Sequence, residues 1–128
     1  MKDKELFAGH ACPSCKTMRN GKWKISIEEY SYSFYPKFIN AGAYVMSRHT
    51  MKTMYFASHF VKRFIFDDAY YGIVAKKSGI KLFNSTHFLN DPKLFLASDK
   101  KFVIAAHLMG NFDKVENVWK EQIKVGNA

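Results

Sequence analysis

Cysteine is scarce here: Cys12 and Cys15 are the only two in 128 residues, too few for a disulfide framework. Long apolar runs are missing as well. No stretch approaches the ~20 residues of a membrane span, and Met1 to Cys12 has no apolar core of the kind a signal peptide carries. Internal repeats and low-complexity tracts are absent, so neither a solenoid nor a disordered linker is expected. Dense basic runs are lacking too. Lys and Arg outnumber Asp and Glu by 20 to 11, but no basic cluster is denser than Lys22/Lys24, Lys62-Arg63, Lys76-Lys77 and Lys100-Lys101. A formal charge of +9 suits an anionic partner, whether nucleic acid, an anionic membrane or a phosphate-bearing small molecule. Charge scattered in this way reads as a solvated positive surface, and no nucleic-acid partner is expected.

What is present argues for a folded unit. With 48% hydrophobic and 16% aromatic residues, the chain can bury one modest core, and its length leaves no room for two independent domains. Residues 1–21 hold Gly9, Pro13 and Asn20-Gly21 with little periodicity, and read as a loop-rich lead-in to a core over 22–125. The alternation Trp23-Lys24-Ile25-Ser26-Ile27 suits a half-buried strand that ends in the aromatic loop Tyr30 to Pro36. Asn40-Ala41-Gly42 reads as a small-residue turn, followed by a short buried strand Ala43 to Met46 and by Ser47, which can cap a helix starting at Arg48. Met51, Met54, Tyr55 and Ser58 fall on one face of that helix, a spacing that usually marks core.

Asp67-Asp68 opens the next helix, whose Tyr70, Ile73, Val74 and Lys77 repeat at helical spacing until Gly79. Ile80 to Phe83 and Phe102 to Ala106 are further strand candidates, separated by a polar loop with Asn90-Asp91-Pro92. Asp113 and Glu116 form a candidate capping pair for a last helix with Phe112, Val115, Val118, Trp119 and Ile123 on its buried face. Strands alternating with helices indicate an α/β arrangement.

Several residues are candidates for chemistry. Cys12-Pro13-Ser14-Cys15 invites a redox or zinc reading, but only His10 is a nearby third ligand, and a mobile loop with two ordinary thiols is the expectation. A carboxylate at a helix start is held ionised by the dipole and can accept a proton; it can equally be a cap. His107, ending an apolar strand, is either a metal ligand or a hydrogen-bonded imidazole. Gly42 either lets a ligand come close to the backbone or relieves a turn. Trp23, Tyr35 and Tyr44 can stack on the flat face of a ligand, with Trp23 assigned to the core.

The order of these motifs carries more than any one of them. Lys22-Trp23, Glu29-Tyr30, Tyr35-Pro36-Lys37-Phe38, Gly42 to Ser47, and Asp67-Asp68-Ala69-Tyr70-Tyr71-Gly72 with Gly79-Ile80 closely resemble the beta-1,3-galactosyltransferase and beta-1,3-N-acetylglucosaminyltransferase family, glycosyltransferase family 31. The resemblance covers about Leu6 to Ile80, and Phe102 to His107 with Trp119 match the family's end more loosely. Asp67 stands for the usual Glu, Ala69 for the usual Val, and Ile39 for a common Cys.

The resemblance implies a partial GT-A-like mixed sheet flanked by helices, its nucleotide-binding half and D-x-D motif lying upstream. It implies an inverting hexosyltransferase that uses a UDP-sugar and a glycoprotein or glycolipid acceptor. It also implies manganese as cofactor, and a Golgi membrane setting through an N-terminal anchor outside these residues. The sequon Asn84-Ser85-Thr86 fits that lumenal setting. Asp68 takes the place of the catalytic base, with Asp67, Gly42, Tyr44 and Tyr35 at the substrate and His107 on the metal. Two alternatives remain: an inactive remnant of such an enzyme, and a basic nucleic-acid-binding module.

Overall fold

A computed structural model describes residues 4–91, 93, 95, 100–107 and 110–126; Met1 to Asp3 of the lead-in and Pro92 of the polar loop lie outside that set. Residues 7–12, expected to be loop, are instead the central strand. β1 (Phe7–Cys12) pairs antiparallel with β2 (Phe38–Met46) and parallel with β3 (Phe83–Asn84), and β4 (Phe88–Leu89) pairs parallel with β5 (Ala105–Ala106). With helices α1 (Arg48–Ser58), α2 (Asp67–Ser78) and α3 (Phe112–Lys124), this is a mixed α/β unit with a small mixed sheet. β1 escapes a reading by alternation because its first half is buried outright: Phe7 and Ala8 have neighbours on both sides.

The small residues Asn40 to Gly42 do not end a strand. β1 and β2 pair from Phe7↔Met46 to Gly9↔Tyr44, then resume at Ala11↔Ile39 and Cys12↔Phe38. Four residues of β2, 40–43, therefore stand opposite His10 alone and bulge out of the ladder. Bulges re-aim backbone next to functional sites.

The segment 22–36, expected to hold a strand, is irregular. Its carbonyls find an unusual partner: Arg19 Nη1 donates to Ile25 O and Ser26 O at 3.0 Å and to Tyr30 O at 2.9 Å, while Nη2 donates to Tyr32 O at 3.2 Å. One planar guanidinium thus does for this loop what a neighbouring strand would do. Beneath it Ile25, Tyr35, Phe38 and Ala69 form a small core, joined at its edge by Phe64 and Phe66.

The main core is Phe7, Ile39, Met54, Val74, Ala75 and Ile80. Helix α1 is capped as expected: Ser47 Oγ accepts from Thr50 N at 3.2 Å, and buried Thr50 Oγ1 accepts from Leu6 N at 3.0 Å, tying the helix to the start of β1. Only Met54 of the expected methionine face is buried; Met51 and Tyr55 are 56% and 60% exposed. Gly79 ends α2 in the left-handed conformation, as expected. In α3 the cap is Asn111, whose Oδ1 accepts from Lys114 N at 3.0 Å, in place of the Asp113/Glu116 pair. No residue of α3 is buried among the described residues, Phe112 and Trp119 being 77% and 56% exposed.

Helix α2 meets β2 through its small residues, Ala69, Gly72 and Ala75. A Cβ on Gly72 would lie 2.6 Å from Phe38 Cβ and 2.8 Å from Lys37 O, so this glycine sets the separation of helix and strand. Gly72→Ala forces them apart and should cost about 1–3 kcal/mol. Urea unfolding measures this; an unshifted midpoint would show that the contact yields freely.

A candidate active site at the start of helix α2

Asp67 and Asp68 begin α2 directly after Phe66, an extended residue whose side chain caps nothing. The two carboxylates cap locally instead: Asp67 Oδ1 accepts from Asp68 N at 3.0 Å, and Asp68 Oδ1 accepts from Ala69 N at 2.7 Å. Asp67 is exposed and Asp68 half-buried. Both line a hollow of about 450 Å³, within the range of ligand sites. Its walls are largely apolar, with Met18, Trp23, Phe38, Ile65 and Phe66 among them; Asn40 and the β2 bulge backbone at Ala41 add polar edges. Lys16 is its only cationic lining residue.

Burial is the main influence on Asp68 and pushes its carboxyl above the ordinary aspartate range. The amide of Ala69 pulls the other way, Asp67 adds a like-charge push upward, and the Ala41 amide from the bulge again favours the ionised form. The result is a carboxylate that accepts from the Ala69 amide and is more basic than an ordinary one. Such a group suits proton abstraction.

The other expected site residues divide. Tyr35 belongs to this hollow but is mostly buried, 8% exposed, with its ring against Tyr30, Phe38 and Phe64. Its hydroxyl is buried with no hydrogen-bond partner among the described residues, and burial raises its pKa. Tyr35 is therefore chiefly a wall and not an open stacking platform. Trp23, assigned to the core, takes the reverse position: it is 54% exposed and lines the hollow. Tyr44 lines a different hollow with Met51, Met54 and Tyr71, its ring 5.5 Å from Phe7 and 6.2 Å from Tyr71.

Gly42 and His107 come together although 65 positions apart. A Cβ on Gly42 would meet His107 Cβ and Cγ and Asn90 Oδ1, each at 2.9 Å. The space that a sugar was expected to use is filled by protein, so the glycine admits the His107 segment. His107 itself is exposed, anchored by its amide donating to Leu89 O at 2.8 Å. Among the described residues no three His, Cys, Asp or Glu side chains converge as a metal site, so His107 would be a single donor.

Cys12 and Cys15 are not free thiols. They form a disulfide across the turn leaving β1, with Cα atoms 5.9 Å apart, and Cys15 sits on the rim of the hollow. Sequence reasoning assigned Trp23 to the core and missed Asn40 and the bulge amide of Ala41. Lys22-Trp23 belonged to the recognised motif run, which was the available signal for Trp23.

Comparison with known proteins places the chain in a family. A family model described as Galactosyltransferase matches residues 1–86, and the chain belongs to that family. It is 36% identical over 118 residues to the Beta-1,3-galactosyltransferase brn of Drosophila melanogaster, covering 91% of this chain and 36% of that protein. It is 32% identical over 68 residues to the Beta-1,3-galactosyltransferase bre-5 of Caenorhabditis elegans, covering 53% of this chain and 21% of that protein. The chain thus spans about a third or less of the length of these relatives.

Because the folded state holds Asp68 at a raised pKa, it binds the proton more tightly than the unfolded chain does. This group's contribution is therefore most favourable below the ordinary aspartate pKa of about 3.9 and is lost as pH rises through the folded value. Asp68→Asn, which keeps an acceptor for Ala69 N–H, should raise stability at neutral pH and lose that advantage in acid. Thermal melts across pH test this. An Asn variant less stable than the parent at pH 7 would contradict the sign.

Proposed function

We propose that this chain is the acceptor side of an inverting hexosyltransferase domain, with Asp68 as the base. The observation that supports it is one carboxylate, half-buried, made more basic by burial and held by the Ala69 amide, on the wall of an apolar hollow. In the reaction the acceptor hydroxyl loses its proton to Asp68 as its oxygen attacks the anomeric carbon. The bond from that carbon to the nucleotide diphosphate breaks on the opposite side, and the diphosphate departs with the bonding electrons.

The donor we infer is a UDP-sugar, and the acceptor a glycoprotein or glycolipid glycan. The sheet is read as part of a GT-A-like domain whose nucleotide-binding half and D-x-D aspartates lie in sequence outside these residues. Manganese would neutralise the leaving diphosphate. His107 is the donor this stretch would offer it, and one donor makes no site, so no step above runs through the metal. Asp67 shapes the mouth of the hollow, and Tyr44 lies beyond it. A Golgi lumenal setting accords with the exposed sequon at Asn84, while none of the described helices is long and apolar enough to cross a membrane.

In the complete transferase, Asp68→Asn should lower kcat by about 10²–10⁴-fold with little change in the donor KM. Asp67→Asn should cost much less, under about tenfold by the same scale. Steady-state kinetics with a UDP-sugar and a glycan acceptor decides it, and normal turnover by the Asp68→Asn enzyme would remove Asp68 from the base role.

A further inference from the structure

Trp23 is placed unlike any other large aromatic of the chain. It is 54% exposed, yet it lines the hollow that holds Asp68. Its orientation is already restrained. Lys22 Nζ lies 4.6 Å from its ring centroid, and Phe66 meets it at 5.8 Å with planes at 74°. Met18 and Ile65, 49% and 72% exposed, line the same hollow, so three large apolar side chains stand open to solvent around the Asp67-Asp68 pair. Exposed apolar surface gathered around a polar, proton-accepting group marks a ligand site.

The charges say which kind of ligand. Asp67 and Asp68 stand against Lys16 on the lining and Lys22 over the Trp23 ring, two acids and two bases whose charges balance. That balance suits a neutral ligand. A pyranose fits both features, since its C–H face is apolar and its rim of hydroxyls is polar. We propose that Trp23 is the platform on which the terminal, neutral pyranose of the acceptor stacks, bringing one of its hydroxyls to Asp68 and another within reach of Asn40. This rests on the reading of Asp68 as base. Because Lys22 and Phe66 hold the indole before a sugar arrives, little side-chain ordering is left for binding to accomplish.

The indole N–H resonances of the chain test the idea, since Trp23 and Trp119 are its only tryptophans and Trp119 lies on the exposed face of α3. A Trp119→Phe variant assigns the two signals. Titration with methyl β-D-glucopyranoside and methyl β-D-galactopyranoside should move the Trp23 signal saturably with at least one of them and leave Trp119 fixed, and UDP should move neither. Sugar-dependent shifts at Ala41 and Ala69 with an unmoved Trp23 would overturn the platform and leave Asp68 as base intact. No shift at any of these residues with either glycoside would count against both. In the complete transferase, Trp23→Ala should raise the acceptor KM about tenfold, the scale of a lost aromatic contact, while the donor KM holds. Trp23→Phe should recover most of that loss. A Trp23→Ala enzyme with an unchanged acceptor KM, or an equal rise in donor KM, contradicts the assignment.

Discussion

The influence of the Ala41 amide on the Asp68 carboxyl depends on a strand that leaves its ladder. Had β2 paired residue for residue with β1 between Tyr44 and Ile39, residues 40–43 would lie in the ladder like the rest of this edge strand. The bulge frees Ala41 to face the start of α2, and it pushes Gly42 against His107 and Asn90. One irregularity thus serves two distant parts of the chain. Its position is held by the close seating of α2 on β2, which Gly72 permits against Phe38 and Lys37.

The opposite wall of the hollow comes from a loop with almost no regular structure. Arg19 gathers four of its carbonyls, Thr17 N donates to Ser33 O at 2.9 Å, and Tyr35 N donates to Cys15 O at 2.9 Å. The Cys12–Cys15 disulfide closes the turn through which the loop leaves β1. Backbone bonds and a covalent link therefore hold Met18 and Trp23 opposite the α2 carboxylates, although neither residue belongs to a helix or strand. Rigid supports of this kind let a loop present binding residues with precision.

The parts legible in the sequence are those governed by local chemistry. Ser47 before Arg48, and Gly79 after Ser78, marked helix ends because capping is decided within a few residues. Asp67-Asp68 marked a helix start for the same reason. Long-range substitutions were hidden. The alternation at Trp23, Ile25 and Ile27 imitates a strand, and nothing local reveals that Arg19 supplies the hydrogen bonds. The meeting of Gly42 with His107 follows from register and crossover, not from spacing. Residue type misled at Trp23 and Tyr35: both are large aromatics, but the hydroxyl-bearing ring is the buried one. The apolar stripe of α3 was read correctly as a stripe, while its burial depends on contacts that the described residues do not make.

Whether the α2 carboxylate faces an acceptor can be seen directly. A crystal structure of the complete transferase with a neutral acceptor glycoside should place one sugar hydroxyl within hydrogen-bond reach of Asp68, about 2.6–3.2 Å. An acceptor seated elsewhere, with Asp68 bonded only to the Ala69 amide, would contradict the account.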